Sequence, residues 1–266
     1  MRLDKYLVEH QLCTSRERAQ DAIAQQTVSV NGVIVNKASK EVDDADEVAV
    51  IDVFNKYVSR GGLKLEKAIV DFQLDFHGGL VLDVGSSTGG FTDCALQHGA
   101  AFVAAVDVGT AQLHPSLQNR DEVLSIENKD FRDLTLEDVG QRTFDWIVSD
   151  VSFISLTYIF PSFKVFMKDD ARLMLLIKPQ FEAGPSFLNR SGIVSDEKGY
   201  KVAIQRVLAQ AALDGFFLND ISVSTLLEKN KNVEFLALFS TKDTGFRYRF
   251  EVLSEQIRQA KSKVKK

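Results

Sequence analysis

The chain reads as an α/β protein built on a mainly parallel sheet of seven strands. Three observations predict it. Short apolar runs recur at 80–84, 102–106, 123–126, 145–149, 171–177, 217–224 and 233–239, and helical patterns fill most of the gaps. Such alternation calls for crossover connections that lay helices on both faces of the sheet. The first run closes on an acid and breaks into small residues, Val81-Leu82-Asp83-Val84-Gly85-Ser86-Ser87-Thr88-Gly89-Gly90-Phe91. A parallel strand that hands over to a nucleotide-sized ligand has this form. The second run also ends on an acid, Asp107. The last two runs lie close together, so one of them is predicted to be antiparallel.

Taken in order, residues 1–50 form a small unit of their own. Leu3, Leu7, Val8 and Leu12 recur at helical spacing. Thr14 and Glu17 have the spacing of a capping box for a second helix, whose apolar face is Ala19, Ala22 and Ile23. Residues 28–35 alternate around Asn31-Gly32, a strong hairpin signal. A connector at 51–59 is too poor in Gly, Ser and Pro to be a flexible linker. The helix opening at Arg60-Gly61-Gly62 can place Leu63, Ala68, Ile69 and Phe72 on one face. The sheet domain then runs over 60–243. Residues 244–266 read as a basic tail, either a solvated, frayed helix or a nucleic-acid contact.

With 266 residues the chain has room for two domains, at roughly 150 residues each. A net charge of −5 does not mark it as a polyanion binder. Cys13 and Cys94 are too few for a disulfide framework or a zinc cluster, which points to a reducing, cytoplasmic setting and no metal. The first residues carry no signal-peptide core, and no apolar run approaches the ~18 residues of a membrane span.

The glycine turn narrows the ligand. Gly85, Gly89 and Gly90 allow close backbone approach, Ser86, Ser87 and Thr88 line the bend, and the helix from Phe91 offers N–H groups. No Lys or Arg stands in the turn, so phosphate fits poorly and a P-loop is excluded. S-adenosylmethionine, an adenosine with a cation and no phosphate, fits better. Asp107 is placed to take its ribose hydroxyls, and Asp130, after the third run, its adenine amine. Asp150 and Lys178 fall at the tips of the fourth and fifth runs, where ligands of open α/β sheets bind. Glu234 falls in the last run and Lys64 in the helix before the first. Spacing alone leaves each of these four equally open to being a cap, an ion-pair partner or a surface residue.

Two resemblances add to this reading. Arg2-Leu3-Asp4, Ser15-Arg16, Ala19, Ile23 and Val28-x-Val30-Asn31-Gly32 resemble the S4 RNA-binding domain, an α+β module. The resemblance implies phosphate contacts from Arg2, Lys5, Arg16, Arg18, Lys37 and Arg60. Gln26 departs from the pattern, which usually has Gly there, and residues 1–60 are not basic, so the affinity expected of this unit alone is modest. The whole chain resembles the TlyA (hemolysin A-like) family, an S4 domain followed by an FtsJ-like methyltransferase domain of Rossmann-like fold. The matching marks are Ser59-Arg60-Gly61-Gly62-x-Lys64-Leu65, Leu82-Asp83-Val84-Gly85-x-Ser87-x-Gly89-Gly90-Phe91-Thr92, Asp150-Val151-Ser152-Phe153-Ile154-Ser155-Leu156 and Ile177-Lys178-Pro179-Gln180-Phe181-Glu182.

This second resemblance implies S-adenosylmethionine-dependent methylation of ribose 2′-hydroxyls in ribosomal RNA, at cytidines. It maps the family's Lys-Asp-Lys-Glu tetrad onto Lys64, Asp150, Lys178 and Glu234. A lysine removes a proton only in its neutral form, which burial and nearby positive charge favour. Lys178 is therefore the expected base or hydroxyl activator, with Lys64, Asp150 and Glu234 positioning it and the substrate. The expected partners are ribosomal RNA or ribosomal subunits, with no membrane and no obligate protein partner. Two other classes compete: a membrane-active hemolysin, for which only the tail supplies a basic amphipathic helix, and an RNA-binding assembly factor without turnover.

Overall fold

The computed structural model describes residues 1–13, 16–24, 27–50, 56–194, 196–224 and 232–264, with side chains at 17, 18, 21, 24, 263 and 264 left aside. They fall into two units, Met1–Lys56 and Tyr57–Lys266.

In the first unit, helices α1 (Leu3–Glu9) and α2 (Arg16–Ala24) cover a small antiparallel sheet. Its strands are β1 (Val28–Val30), β2 (Val33–Ile34) and β3 (Val48–Val50), in the order β2-β1-β3. The turn joining β1 and β2 has φ of +54° at Asn31 and +76° at Gly32. Two consecutive left-handed residues match the right-handed twist of the flanking strands, which is why Asn-Gly favours this hairpin. Leu3, Leu7, Ala19, Ala22 and Ile23 are buried against Val28 and Val30, while Val8 and Leu12 pack at the margin. The predicted Thr14 cap and the departure at Gln26 lie outside the described residues. The third strand is a departure from the sequence reading: Val48-Ala49-Val50 is too short to show a period.

The second unit opens with α3 (Gly61–Phe72), β4 (Leu80–Val84), α4 (Gly90–Gln97), β5 (Phe102–Val106), the one-turn α5 (Pro115–Gln118) and β6 (Val123–Ile126). It continues with β7 (Phe144–Ser149), α6 (Phe160–Phe163), β8 (Met167–Ile177) and α7 (Pro179–Glu182). The chain ends with α8 (Glu197–Leu213), β9 (Phe217–Val223), β10 (Phe235–Ser240) and α9 (Phe250–Val264). The seven strands lie in the order β6-β5-β4-β7-β8-β10-β9. Neighbours pair in parallel through β8, and β10 is antiparallel to both β8 and β9.

Alternate residues of each strand serve opposite faces. Val81, Val103, Trp146 and Leu176 meet α3 and α4 through Leu65, Ala68, Cys94 and Ala95. Leu82, Ala104, Ile147 and Phe235 meet Phe160, Phe163, Tyr200 and Ile204. On α3 Leu65 and Ala68 are fully buried, and Leu63, Ile69 and Phe72 pack against the same cluster while partly exposed, so the face predicted from the apolar spacing is the one that meets the core, with Leu65 added to it.

The C-terminal segment differs from the basic tail of the sequence reading. Leu253 and Ile257 of α9 are buried in the main core, and Ser254 and Arg258 reach Glu197. Phe250 and Ala260 pack beside them, and Lys261 reaches the Tyr200 hydroxyl at 3.2 Å, so one face of the helix is docked. The end of the connector likewise belongs to the second unit: Tyr57 is buried there, and Val58 donates its N–H to Asp93 at 2.8 Å.

Candidate active site

The sheet topology gathers the site. Val84 of β4 pairs with Val106 and Ser149, and Ser149 pairs with Leu175 of β8, so the loops after β4, β5, β7 and β8 open on one edge. Antiparallel β10 starts at that same edge, because Phe235 pairs with Ile177. Asp150, Lys178 and Glu234 each lie one residue beyond these strand ends. Glu234 therefore immediately precedes the last strand rather than lying within it. Lys64 arrives from α3.

The four side chains form an alternating chain of charge. Lys178 Nζ lies 2.7 Å from Asp150 Oδ1, Lys64 Nζ lies 3.0 Å from Asp150 Oδ2, and the same Nζ lies 2.8 Å from Glu234 Oε2. Lys178 is buried, and the others are largely so. Two ammonium groups and two carboxylates balance, which makes their shared burial tolerable.

The two lysines stand in different surroundings. Burial works against the charge on Lys64, but the flanking Asp150 and Glu234 outweigh it and hold the amine above its ordinary value. Lys178 has one carboxylate, the Ser152 hydroxyl at 2.6 Å and the Asp150 carbonyl at 3.5 Å. Ser152 was not singled out by the sequence reading, although it sits inside a quoted motif.

The glycine turn lies beside this cluster. Gly85 has φ of +80°, and a Cβ there would come within 2.9 Å of Val151, next to Asp150. The other two glycines also have close protein neighbours. A Cβ on Gly89 would strike Leu117 at 2.5 Å, and one on Gly90 would come within 2.8 Å of the Gly62 backbone. The Phe91 ring is buried in the core between sheet and helices, so this residue can offer a ligand only its backbone. Ser86 is buried, and Thr88 accepts the His114 N–H through its carbonyl. Asp107 Oδ2 accepts the Ser87 N–H at 2.8 Å and its Oδ1 the Gly109 N–H at 2.7 Å, tying the second strand end to the turn.

Asp83 lies beneath the turn rather than in it. It is 1% exposed and its Oδ2 accepts the Thr92 hydroxyl at 2.7 Å. Burial pushes its carboxyl up to about 7. Asp130 caps a short helical turn and pairs with Arg132 at 2.6 Å, so a ligand amine would have to share it.

These features fit a cationic adenosyl ligand. The buried Asp83 Oδ1 has no hydrogen-bond partner among the described residues, Asp107 presents a second acid at the neighbouring strand end, and the turn contains no cation to hold a phosphate.

The aromatic Phe153 was also missed. It is 92% exposed with φ of +66°, and its ring lies 5.5 Å from that of Phe181. A bulky side chain held in the left-handed region and left in solvent has no packing reason to be there. Glu182 of the last motif is buried, kept above its ordinary value by that burial, and caps the Leu156 N–H at 2.8 Å.

In the N-terminal unit the predicted phosphate contacts divide. Arg2 and Arg16 both close on the fully buried Asp4, at 3.0 Å each, with Gln20 at 2.9 Å. Their charge is partly shared with Asp4, while both side chains remain partly open to solvent. Arg2 holds the Asp4 carboxyl well below the usual range. Lys5 and Lys37 are exposed, Arg60 is half-buried at the start of α3, and the Arg18 side chain lies outside the description. Among the described residues no helix is long and apolar enough to cross a membrane, and no cluster of His, Cys, Asp and Glu could hold a metal.

Comparison with known proteins assigns both parts of the chain to families. The profile of FtsJ-like methyltransferases matches residues 57–241, and that of the S4 domain residues 1–48. The chain is 39% identical to Hemolysin A of Brachyspira hyodysenteriae over 239 residues, 90% of this chain and 99% of that one. It is 36% identical to the 16S/23S rRNA (cytidine-2′-O)-methyltransferase TlyA of Mycobacterium tuberculosis over 242 residues, 91% of this chain and 90% of that one. A solved structure from Streptococcus thermophilus, provisionally described as a hemolysin, superposes with a TM-score of 0.76 at 35% identity, covering 100% of this chain and 97% of that one.

Proposed function

The chain belongs to the FtsJ-like methyltransferase family and carries an S4 domain at its N-terminus, and on that premise we propose that it methylates ribose 2′-hydroxyls of ribosomal RNA, at cytidines, in the cytoplasm. The observation that carries the reading is the unbroken contact chain Lys178–Asp150–Lys64–Glu234 beside a cation-free glycine turn.

S-adenosylmethionine, when bound, supplies a methyl group already activated on a sulfonium. The protein would hold it with the backbone of the turn, with Asp107 and Asp130 toward the adenosine and with Asp83 as a buried countercharge. What remains is to align a weak nucleophile and take one proton. Alignment supplies several of the roughly 7–11 kcal/mol that proximity can contribute. Lys64, held charged between two acids, suits a fixed orienting donor. Lys178, with one acid and a hydroxyl, suits the base. Phe153 suits a stacking platform for a base beside the target ribose.

The test is transfer of tritiated methyl groups to purified ribosomal subunits, followed by mapping of the labelled nucleotide. Label in RNA at a 2′-oxygen supports the reading. RNA binding without label makes the chain an assembly factor, and lysis of erythrocytes without label makes it a toxin.

A further inference from the structure

We propose that Ser152 is the proton relay of Lys178, passing the proton of the substrate hydroxyl to the buried amine. The inference rests on the methyltransferase reading above and adds a group to its proton path.

Among the described residues Lys178 Nζ has three polar neighbours: Asp150 Oδ1 at 2.7 Å, Ser152 Oγ at 2.6 Å and the Asp150 carbonyl at 3.5 Å. A carboxylate and a carbonyl only accept. A hydroxyl both accepts and donates. In the ammonium state the amine donates to the Ser152 hydroxyl and the Asp150 carbonyl and lies 2.7 Å from the charge on Asp150 Oδ1. In the amine state, the only state that can take a proton, Ser152 alone of the three can donate to the nitrogen lone pair. The hydroxyl thus serves both protonation states without a change of partner.

Exposure separates the two groups. Lys178 is 7% exposed, whereas Ser152 lies on the open loop after β7. Among the described residues its hydroxyl is the one polar group hydrogen-bonded to Nζ that belongs to an exposed residue, which suits it to connect the amine with the open loop. The left-handed backbone of Phe153 turns the chain sharply just after it.

The step balances. The proton of the 2′-hydroxyl passes to Ser152 Oγ as the Ser152 proton passes to Nζ, and Asp150 steadies the ammonium that results. The 2′-oxygen bonds the methyl carbon with its own electron pair, and the pair of the broken carbon–sulfur bond stays with sulfur. The lysine then loses its proton to water through the same hydroxyl.

The experiment compares Ser152→Ala, Ser152→Thr and Lys178→Ala in single-turnover methyl transfer to ribosomal subunits across pH, with cofactor and RNA affinities measured separately. S152A is expected to slow transfer by about 10- to 100-fold and shift the pH–rate limb, with both affinities kept, and S152T to recover most of the rate. S152A within about twofold of wild type, or S152T as slow as S152A, overturns the relay. If K178A is inactive while S152A is not, the relay alone falls. If K178A transfers methyl at the wild-type rate, the base assignment falls with it.

Discussion

Lys178 and Asp150 stand one residue beyond the ends of neighbouring parallel strands and meet at 2.7 Å. The other oxygen of the same carboxylate takes Lys64 at 3.0 Å. One acid therefore orders two amines that would otherwise repel, and it does so at the edge where the sheet collects its loops. Glu234 touches only Lys64 among them.

Removing the amine tests the base role. Lys178→Ala is expected to lower methyl transfer by about 10²- to 10⁴-fold, the range for a positioned acid–base group. Cofactor affinity should stay near wild type, because the amine contacts Asp150 and Ser152 rather than the glycine turn. Single-turnover kinetics with calorimetry on the same sample checks both, and near-normal turnover refutes the assignment.

The two acids should not be equivalent. Asp150→Ala takes a carboxylate from both amines and leaves Lys178 with none, whereas Glu234→Ala leaves Lys64 with Asp150 still in place. The expected order of activity loss is Asp150→Ala well beyond Glu234→Ala, with the second about tenfold below wild type. Equal losses would mean that the acids act independently. Asp150→Ala should also destabilise the fold, because Lys178 is then buried without its countercharge, a situation that costs about 3–5 kcal/mol.

Much of this arrangement was legible in the sequence because the parallel strands are continuous apolar runs and the chemistry sits where each run stops. Asp150 and Lys178 could be placed from 144–150 and 171–178 alone. Pairings between distant segments could not. Nothing local joins Asp4 to Arg16 and Gln20 or Ser152 to Lys178, and these contacts appear only when helices pack and strand ends align. The packing of the glycines was not legible, since a close approach to Leu117 or to the Gly62 backbone leaves the same mark in a sequence as a close approach to a ligand. The docked α9 was obscured by its charges, which outnumber the apolar residues that hold it to the core.

Phe153 offers a test of substrate contact without a packing penalty. Its ring is 92% exposed, so Phe153→Ala should leave the melting temperature nearly unchanged. Loss of a stacked base costs about 1–3 kcal/mol, so RNA affinity or KM should worsen by roughly 5- to 150-fold, and Phe153→Trp should retain most of it. A Phe153→Ala enzyme that binds and methylates subunits normally rules the platform out.

Asp83 couples stability to pH in a direction opposite to that of most carboxylates. Burial raises its carboxyl from 3.8 to about 7, and the Thr92 bonds offset only part of that rise. Between those values the folded chain keeps a proton that the unfolded chain releases, so rising pH favours unfolding. The penalty begins as pH climbs through the unfolded value and levels off above the folded one, reaching at most about 4 kcal/mol. Asp83→Asn keeps an acceptor for Thr92 but cannot ionise. Urea midpoints of wild type and Asp83→Asn should therefore coincide near pH ~4 and separate progressively up to pH ~7, with the variant the more stable. The difference between the two proteins isolates this group from oppositely shifted acids such as Asp4, whose stabilising pair with Arg2 weakens as pH falls. Parallel pH profiles for the two proteins would show that Asp83 is ionised beneath the turn even without a bound cation.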